Sequence, residues 1–219
     1  MSDALSVLRE AYDDLTDFAA DLDEASSWVP TRCPGWAVRD LVFHLLGDAQ
    51  RALVALATPA AGGADRDAVS YWVTAPTGSD PESREIRAQR TMASAWRLDY
   101  LIETYRSTAR AVLHLAERTP GDQLVQTQGH VLRVGDLCAT LAVEAAVHHL
   151  DLVVFMDHPG PSAGPLGLVR KTLDGLLGRP APFPCDDRTW ALIGSGRQPP
   201  TEKQRAALGA DADRLPLLG

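Results

Sequence analysis

Residues 140–155, TLAVEAAVHHLDLVVF, would pass for the interior of a helical bundle but for Glu144, His148, His149 and Asp151. At about 100° per residue, Glu144 and His148 fall inside the apolar stripe of Leu137, Leu141, Leu152 and Phe155, Asp151 lies on its edge, and His149 turns about 120° away. A carboxylate and an imidazole on such a face each cost several kcal/mol unless they are paired or bound to a cation. One solution is a hydrogen-bonded Glu144 and His148 pair at i, i+4, or separate polar contacts to other helices. The other is metal ligation. A carboxylate oxygen and an imidazole nitrogen one turn apart converge on one point, and a third ligand from another helix leaves a position open for water or substrate.

The third donor has to come from His44, His114, His130, His158 or an acidic residue, and spacing does not choose among them. On the helical period His44 lies about 240° from Val38, beside Asp40, Asp48 and Arg51, which is the place of a surface or cleft residue. His114 sits at a helix end, and His130 and His158 sit in loops, where solvated roles are usual. Cys33, next to Pro34 in a connection, reads as structural packing rather than as a nucleophile or ligand.

The elements that must carry these groups are helices. Leu5, Leu8, Tyr12, Leu15, Phe18, Ala19 and Leu22 define a first amphipathic helix over residues 2–25. The connection SSWVPTRCPGW, with Pro30, Pro34 and Gly35, is followed by a second helix to Ala57. Residues 58–81 read as a long loop with a helical turn near Tyr71 and Trp72. From Glu82 to Arg118 there is neither Pro nor Gly, and the apolar spacing predicts one long third helix. QLVQTQGHVLR is a brief extended segment or loop, and a fourth helix covers residues 134–156. Beyond it come a helix over 166–177, a strand candidate TWALI, a Gly-flanked GSGR and a helical turn TEKQRAAL. The expectation is an all-α four-helix bundle over residues 1–158, whose sites lie between facing helices, and a small C-terminal α/β or irregular appendage over 159–219.

At 219 residues the chain can bury a substantial core. A formal charge of −8 without a basic cluster argues against nucleic acid. No apolar run approaches the roughly 20 residues that cross a bilayer, and the acidic amphipathic N-terminus is unlike a secretory signal, so no membrane partner and a cytoplasmic location are expected. Cys33, Cys138 and Cys185 are odd in number and lack a CxxC pair, which speaks against a disulfide framework or a cysteine zinc finger.

Two blocks, PTRCPGWAVRDLVFHLLGD and VGDLCATLAVEAAVHHLDL, are specific when found together. They resemble the DinB-like metalloenzyme superfamily, in particular its mycothiol-dependent maleylpyruvate isomerase group, through CPGW, VRDL and a histidine on the second helix and E-x-x-x-H-x-x-D-L on the fourth. The resemblance spans roughly residues 5–156, with a looser likeness in ALIGSGRQP and ALGADADRLPLL. It implies a DinB-like bundle holding one zinc-like divalent ion through His44, Glu144 and His148, with mycothiol as thiol co-substrate and a small electrophilic substrate as second partner. It implies no catalytic residue beyond the metal site. A thiol activated there would add to an electrophilic carbon, staying bound in an S-transferase and leaving after bond rotation in an isomerase. Arg197 in GSGR is a candidate carboxylate contact in cofactor binding, and Arg39 and Asp151 are expected to form an ion pair between the second and fourth helices. The C-terminal 60-odd residues are fewer than the fuller second domain of the characterised isomerase. A non-catalytic DinB-like binding protein of regulatory or stress function is the alternative, a metal-free helical protein a third, and the chain is expected to act as a monomer or homodimer.

Overall fold

The structure is a computed structural model that describes residues 3–73 and 84–218, with Glu85 described for its backbone alone. Four long helices form the bundle: α1 (Asp3–Ala20), α2 (Val38–Leu56), α4 (Leu98–Arg118) and α5 (Val134–Leu152). Helix α1 packs on α4 and α5, and α2 packs on α4 and α5. Their stripes meet in one core that includes Leu8, Leu15, Phe18, Leu41, Leu46, Leu101, Tyr105 and Val112. Each helix turns one apolar face inward, and burial of those side chains is the main stabilising contribution.

Helix α5 differs from the rest in being buried on nearly every side. Val134–Phe155 has the length and apolarity to cross a bilayer, so the expectation that no stretch reaches that threshold is corrected. Yet 78% of that window is buried within the protein. One face contributes Leu137, Cys138 and Ala142 to the bundle core, while Val143, Ala146, Val147 and Leu150 enter a second apolar cluster. The second cluster is completed by α6 (Ala163–Leu177) and α7 (Asp187–Gly194), together with Leu208 of α8 (Glu202–Leu208). The C-terminal segment is therefore a helical layer that shares α5 with the bundle.

Two expected elements take other forms. The stretch expected as a single helix is broken: α3 (Arg84–Ala95) ends before Trp96, and Arg97 is extended at φ −67°, ψ 138° before α4 begins. Residues 82–83 of that stretch, like 74–81 of the preceding loop, lie outside the described residues. The break has a tertiary cause, because the buried Arg39 guanidinium takes the Trp96 carbonyl at 2.6 Å. The strand candidate TWALI is helix α7, started by Asp186, whose side chain accepts from Thr189 N at 2.6 Å as an N-cap.

The helical turn near Tyr71 is present as Ser70–Trp72, and QLVQTQGHVLR folds into an antiparallel hairpin of β1 (Leu124–Thr127) and β2 (His130–Arg133). Gln128 and Gly129, at φ 46° and 80°, make the tight turn between the strands.

Candidate metal centre

The connection before α2 explains the CPGW motif. Trp36 N donates to Cys33 O at 3.1 Å, and Gly35 has φ 77°, so Pro34 and Gly35 occupy the corners of a turn that requires a proline-compatible first corner and a left-handed second one. The turn aims Trp36 at α2, where its ring meets His44 edge to face at 5.7 Å. Asp40 of VRDL starts the helix by accepting from Ala37 N at 2.9 Å. His44 is thus wedged into the cleft between α2 and α5, its ring 4.9 Å from that of His148.

His44 Nε2 lies 3.5 Å from Glu144 Oε1, and His148 Nε2 lies 3.3 Å from the same oxygen. The three atoms sit within 4.8 Å of one another. Neither contact has hydrogen-bond geometry, and His44 Nε2 is buried without a hydrogen-bond partner. The two contacts to Glu144 Oε1 match the spacing of about 3.3 Å between donors around a tetrahedral ion with bonds of about 2.0–2.1 Å, and two imidazoles with a carboxylate suit a zinc-like cation. Burial pushes the His44 pKa down despite Glu144, leaving the neutral, ligating form. Burial would raise the Glu144 carboxyl, but the imidazoles of His148 and His44 outweigh it and hold the acid well below its usual range.

His148 is oriented from behind. Its Nδ1 is 3.1 Å from Asp151 Oδ2, and Asp151 is fully buried. Arg197 reaches the same carboxylate with Nε at 3.1 and 3.2 Å and Nη2 at 2.9 Å, and Cys33 Sγ stands 3.5 Å from it. Burial disfavours charge on His148, yet the neighbouring Asp151, Cys33 and Glu144 prevail and raise its pKa. Asp151 is pushed up by burial and brought down further by His148 and Arg197. The Cys33 connection is tied on as well: Arg32 N donates to Asp151 O at 3.0 Å and Arg32 Nη1 to Arg197 O at 2.9 Å.

The expected Arg39 and Asp151 pair does not form. Arg39 instead binds Glu24 at 2.7 Å and lies over the Trp28 ring at 4.2 Å, while Asp151 takes Arg197. His149, expected to turn away from the core, is 1% exposed, because the far side of α5 is also covered. It packs against Phe18 and His158, and burial, then His158 and Arg188, push its pKa down to about 3. Phe155, placed in the helical stripe from sequence, is 66% exposed, since α5 ends at Leu152 and a 3-10 turn follows.

His44 and Glu144 open on a cavity of about 510 Å³. Leu137 and Leu141 line one part, and Tyr71, Trp72, Gln128 and His130, from the loop and the hairpin, line another. Asp48, one turn beyond His44, faces it too, with Oδ2 3.3 Å from His44 Nε2 and an ion pair to Arg51. Sequence reasoning named His130 only as a possible third ligand and did not foresee the hairpin as a wall of the cavity. The two-residue QG turn between apolar positions was the available signal for the hairpin.

The family model described as the mycothiol maleylpyruvate isomerase N-terminal domain matches residues 8–153. Two crystal structures, of the mycothiol-dependent maleylpyruvate isomerase and of a histidine-to-alanine mutant of it, superpose with a TM-score of 0.56 at 15% identity, covering 81% of this chain and 70% of theirs. At that identity the likeness is one of fold. No curated protein sequence matches the chain significantly.

Proposed function

This chain belongs to the mycothiol maleylpyruvate isomerase N-terminal domain family, and from that premise we propose that it is a divalent-metal-dependent enzyme that uses mycothiol on a small electrophilic substrate, as S-transferase or cis-trans isomerase. The observation that supports this best is the convergence of His44 Nε2, Glu144 Oε1 and His148 Nε2 beside a cavity that His44 and Glu144 line. In this reading those three hold the ion, residues 1–158 form the metal-binding bundle and residues 159–219 supply its outer support. Bound there with a position open, a zinc-like ion lowers the pKa of a sulfhydryl and presents it as a thiolate.

The chain's own groups do the rest. Asp151 accepts from His148 Nδ1 and so fixes the ring with Nε2 toward Glu144, the arrangement in which an outer carboxylate orients a ligating histidine. Arg197 keeps Asp151 ionised and in place, and with a side chain 21% exposed it also stays a proposed cofactor contact. Leu137 and Leu141 narrow the water around the reacting carbon, where a thiolate is more reactive than in bulk solvent.

The test uses protein purified without added metal or a metal-affinity tag. It carries about one divalent ion per chain, and with mycothiol and maleylpyruvate, or a panel of electrophiles, it yields a thiol adduct or a trans isomer detectable by mass or chromatography. Metal retained by the His44→Ala, His148→Ala double variant would overturn the ligand assignment. Neither adduct nor isomer from the metal-loaded protein would overturn the catalytic reading in favour of ligand binding.

A further inference from the structure

The cavity is lined by an imidazole that the proposed ion does not use, His130, with a carboxylate beside it. His130 opens β2, and its Nδ1 lies 3.3 Å from Asp65 Oδ2 in the preceding loop. Asp65 is anchored to the hairpin twice: its Oδ1 accepts from Val131 N at 2.8 Å, and its own amide donates to Val131 O at 3.0 Å. The Val131 amide, opposed by burial and assisted by His130, holds the Asp65 carboxyl below its ordinary range. With Nδ1 turned to that carboxylate, Nε2 is the ring nitrogen without a hydrogen-bond partner among the described residues. Tyr71 stands edge-on to the His130 ring at 6.4 Å and is itself held by Gln128, whose amide donates to the phenol oxygen at 2.8 Å. His130, Tyr71 and Gln128 line the same cavity as His44 and Glu144.

We propose that His130 is a catalytic general acid that protonates the α-carbon when a thiol adds to a conjugated double bond in this cavity, with Asp65 as its positioning residue. The proposal rests on the thiol-dependent reading above and narrows it to addition with a retained sulfur. In the step, the thiolate sulfur forms a bond to the β-carbon and the C=C π pair moves onto the α-carbon and carbonyl oxygen. The proton leaves imidazolium Nε2 for the α-carbon, and the neutral ring recovers a proton from solvent. Asp65 accepts from Nδ1–H throughout, which fixes the ring and keeps Nε2 as the donor. Isomerisation by addition, rotation and expulsion puts no proton on carbon, so an acid beside the double bond would be idle there. A retained adduct needs one proton at carbon per turnover.

The experiment incubates full-length, metal-loaded protein briefly with mycothiol and 4-phenylbut-3-en-2-one in deuterium oxide. The wild type gives an adduct with deuterium on the α-carbon in one configuration by NMR. His130→Gln lowers kcat by about 10²- to 10⁴-fold, leaves metal content and the KM for mycothiol unchanged, and scrambles the configuration of the label. Asp65→Asn lowers kcat by about tenfold or more, as loss of an imidazole-orienting carboxylate does, and it alone decides if His130→Gln does not fold. Either variant with kcat within twofold of wild type, or His130→Gln with the label still in one configuration, overturns the proposal. A wild type that turns maleylpyruvate into its trans isomer without any adduct also overturns it while the thiol-dependent reading stands. A wild type that does neither overturns both.

Discussion

Asp151→Asn removes one charge and almost no volume from the group that ties α5 to the C-terminal layer. Asp151 is fully buried and receives three guanidinium contacts from Arg197, the His148 ring and the Cys33 thiol. Breaking a buried ion pair from one side costs about 3–5 kcal/mol, chiefly because the other charge is left without compensation. The Arg197 side chain is 21% exposed, so partial solvation places the loss at the lower end, about 3 kcal/mol. In a chain of this length that is a fall in Tm of about 6–12 °C. The same change loosens His148, and loss of an outer carboxylate weakens metal binding by about 10- to 100-fold. Calorimetry without metal reads the first effect, and competition with a fluorescent chelator reads the second. In Asp151→Asn, Arg197→Met the stranded charge is gone, so the double variant loses less than the sum of the singles. A single variant that melts within about 2 °C of wild type and binds metal within twofold, or strictly additive losses, would refute the reasoning.

Zinc at about a hundred times its dissociation constant stabilises the folded chain by about 2.7 kcal/mol, a rise in Tm of about 5–11 °C that a chelator reverses and His44→Ala abolishes. An equal rise in that variant would remove His44 from the ligand set. The Cys138 thiol, 2% exposed, is pushed up to about 11 by burial. The unfolded thiol ionises near pH 8.5–9 while the folded one stays protonated, so stability falls as pH rises from about 9 to 11, by about 1.4 kcal/mol per unit. Cys138→Ala removes that slope from the stability profile measured against wild type, and native Cys138 reacts with a thiol reagent only after unfolding. Gly194→Ala sets a Cβ 2.7 Å from Leu173 Cδ1 in a fully buried contact. The overpacking costs about 1–3 kcal/mol and lowers Tm by about 2–12 °C, which a thermal melt checks.

The all-α class and helices α1, α2 and α5 were legible because apolar residues recur at helical spacing along each. The break between α3 and α4 was not, since no Pro or Gly marks it and its cause, Arg39 on the Trp96 carbonyl, comes from a distant helix. Helix α7 was legible in principle from its Asp186 cap, but a short run of Trp, Leu and Ile imitates a strand. In the site, Glu144 and His148 announced themselves by polarity in an apolar helix. His44 did not: its period marks a cleft, and only the motif around CPGW selects it, for the reason that Trp36 fixes its ring. The helical wheel misplaced His149 because it assumes one solvent face, whereas Phe18 of α1 and His158 cover the side of α5 that it occupies. Arg39 and Asp151 sit in the two motif blocks but serve different neighbours, which spacing along separate helices does not reveal.

The Asp151 carboxylate joins three regions that leave the ribosome at widely separated times: the turn at Cys33, the helix that carries His148, and Arg197. Domains tend to fold as the chain emerges, N-terminal parts first. A nascent chain can assemble the bundle and bring His44, Glu144 and His148 together once α5 is out, yet His148 lacks its charge-compensated anchor until Arg197 follows. If those three side chains hold an ion as proposed, its capture during synthesis would stay weak until Arg197 has emerged and reached Asp151, which would make the layer after α5 a timing element for loading as well as a wall of the fold.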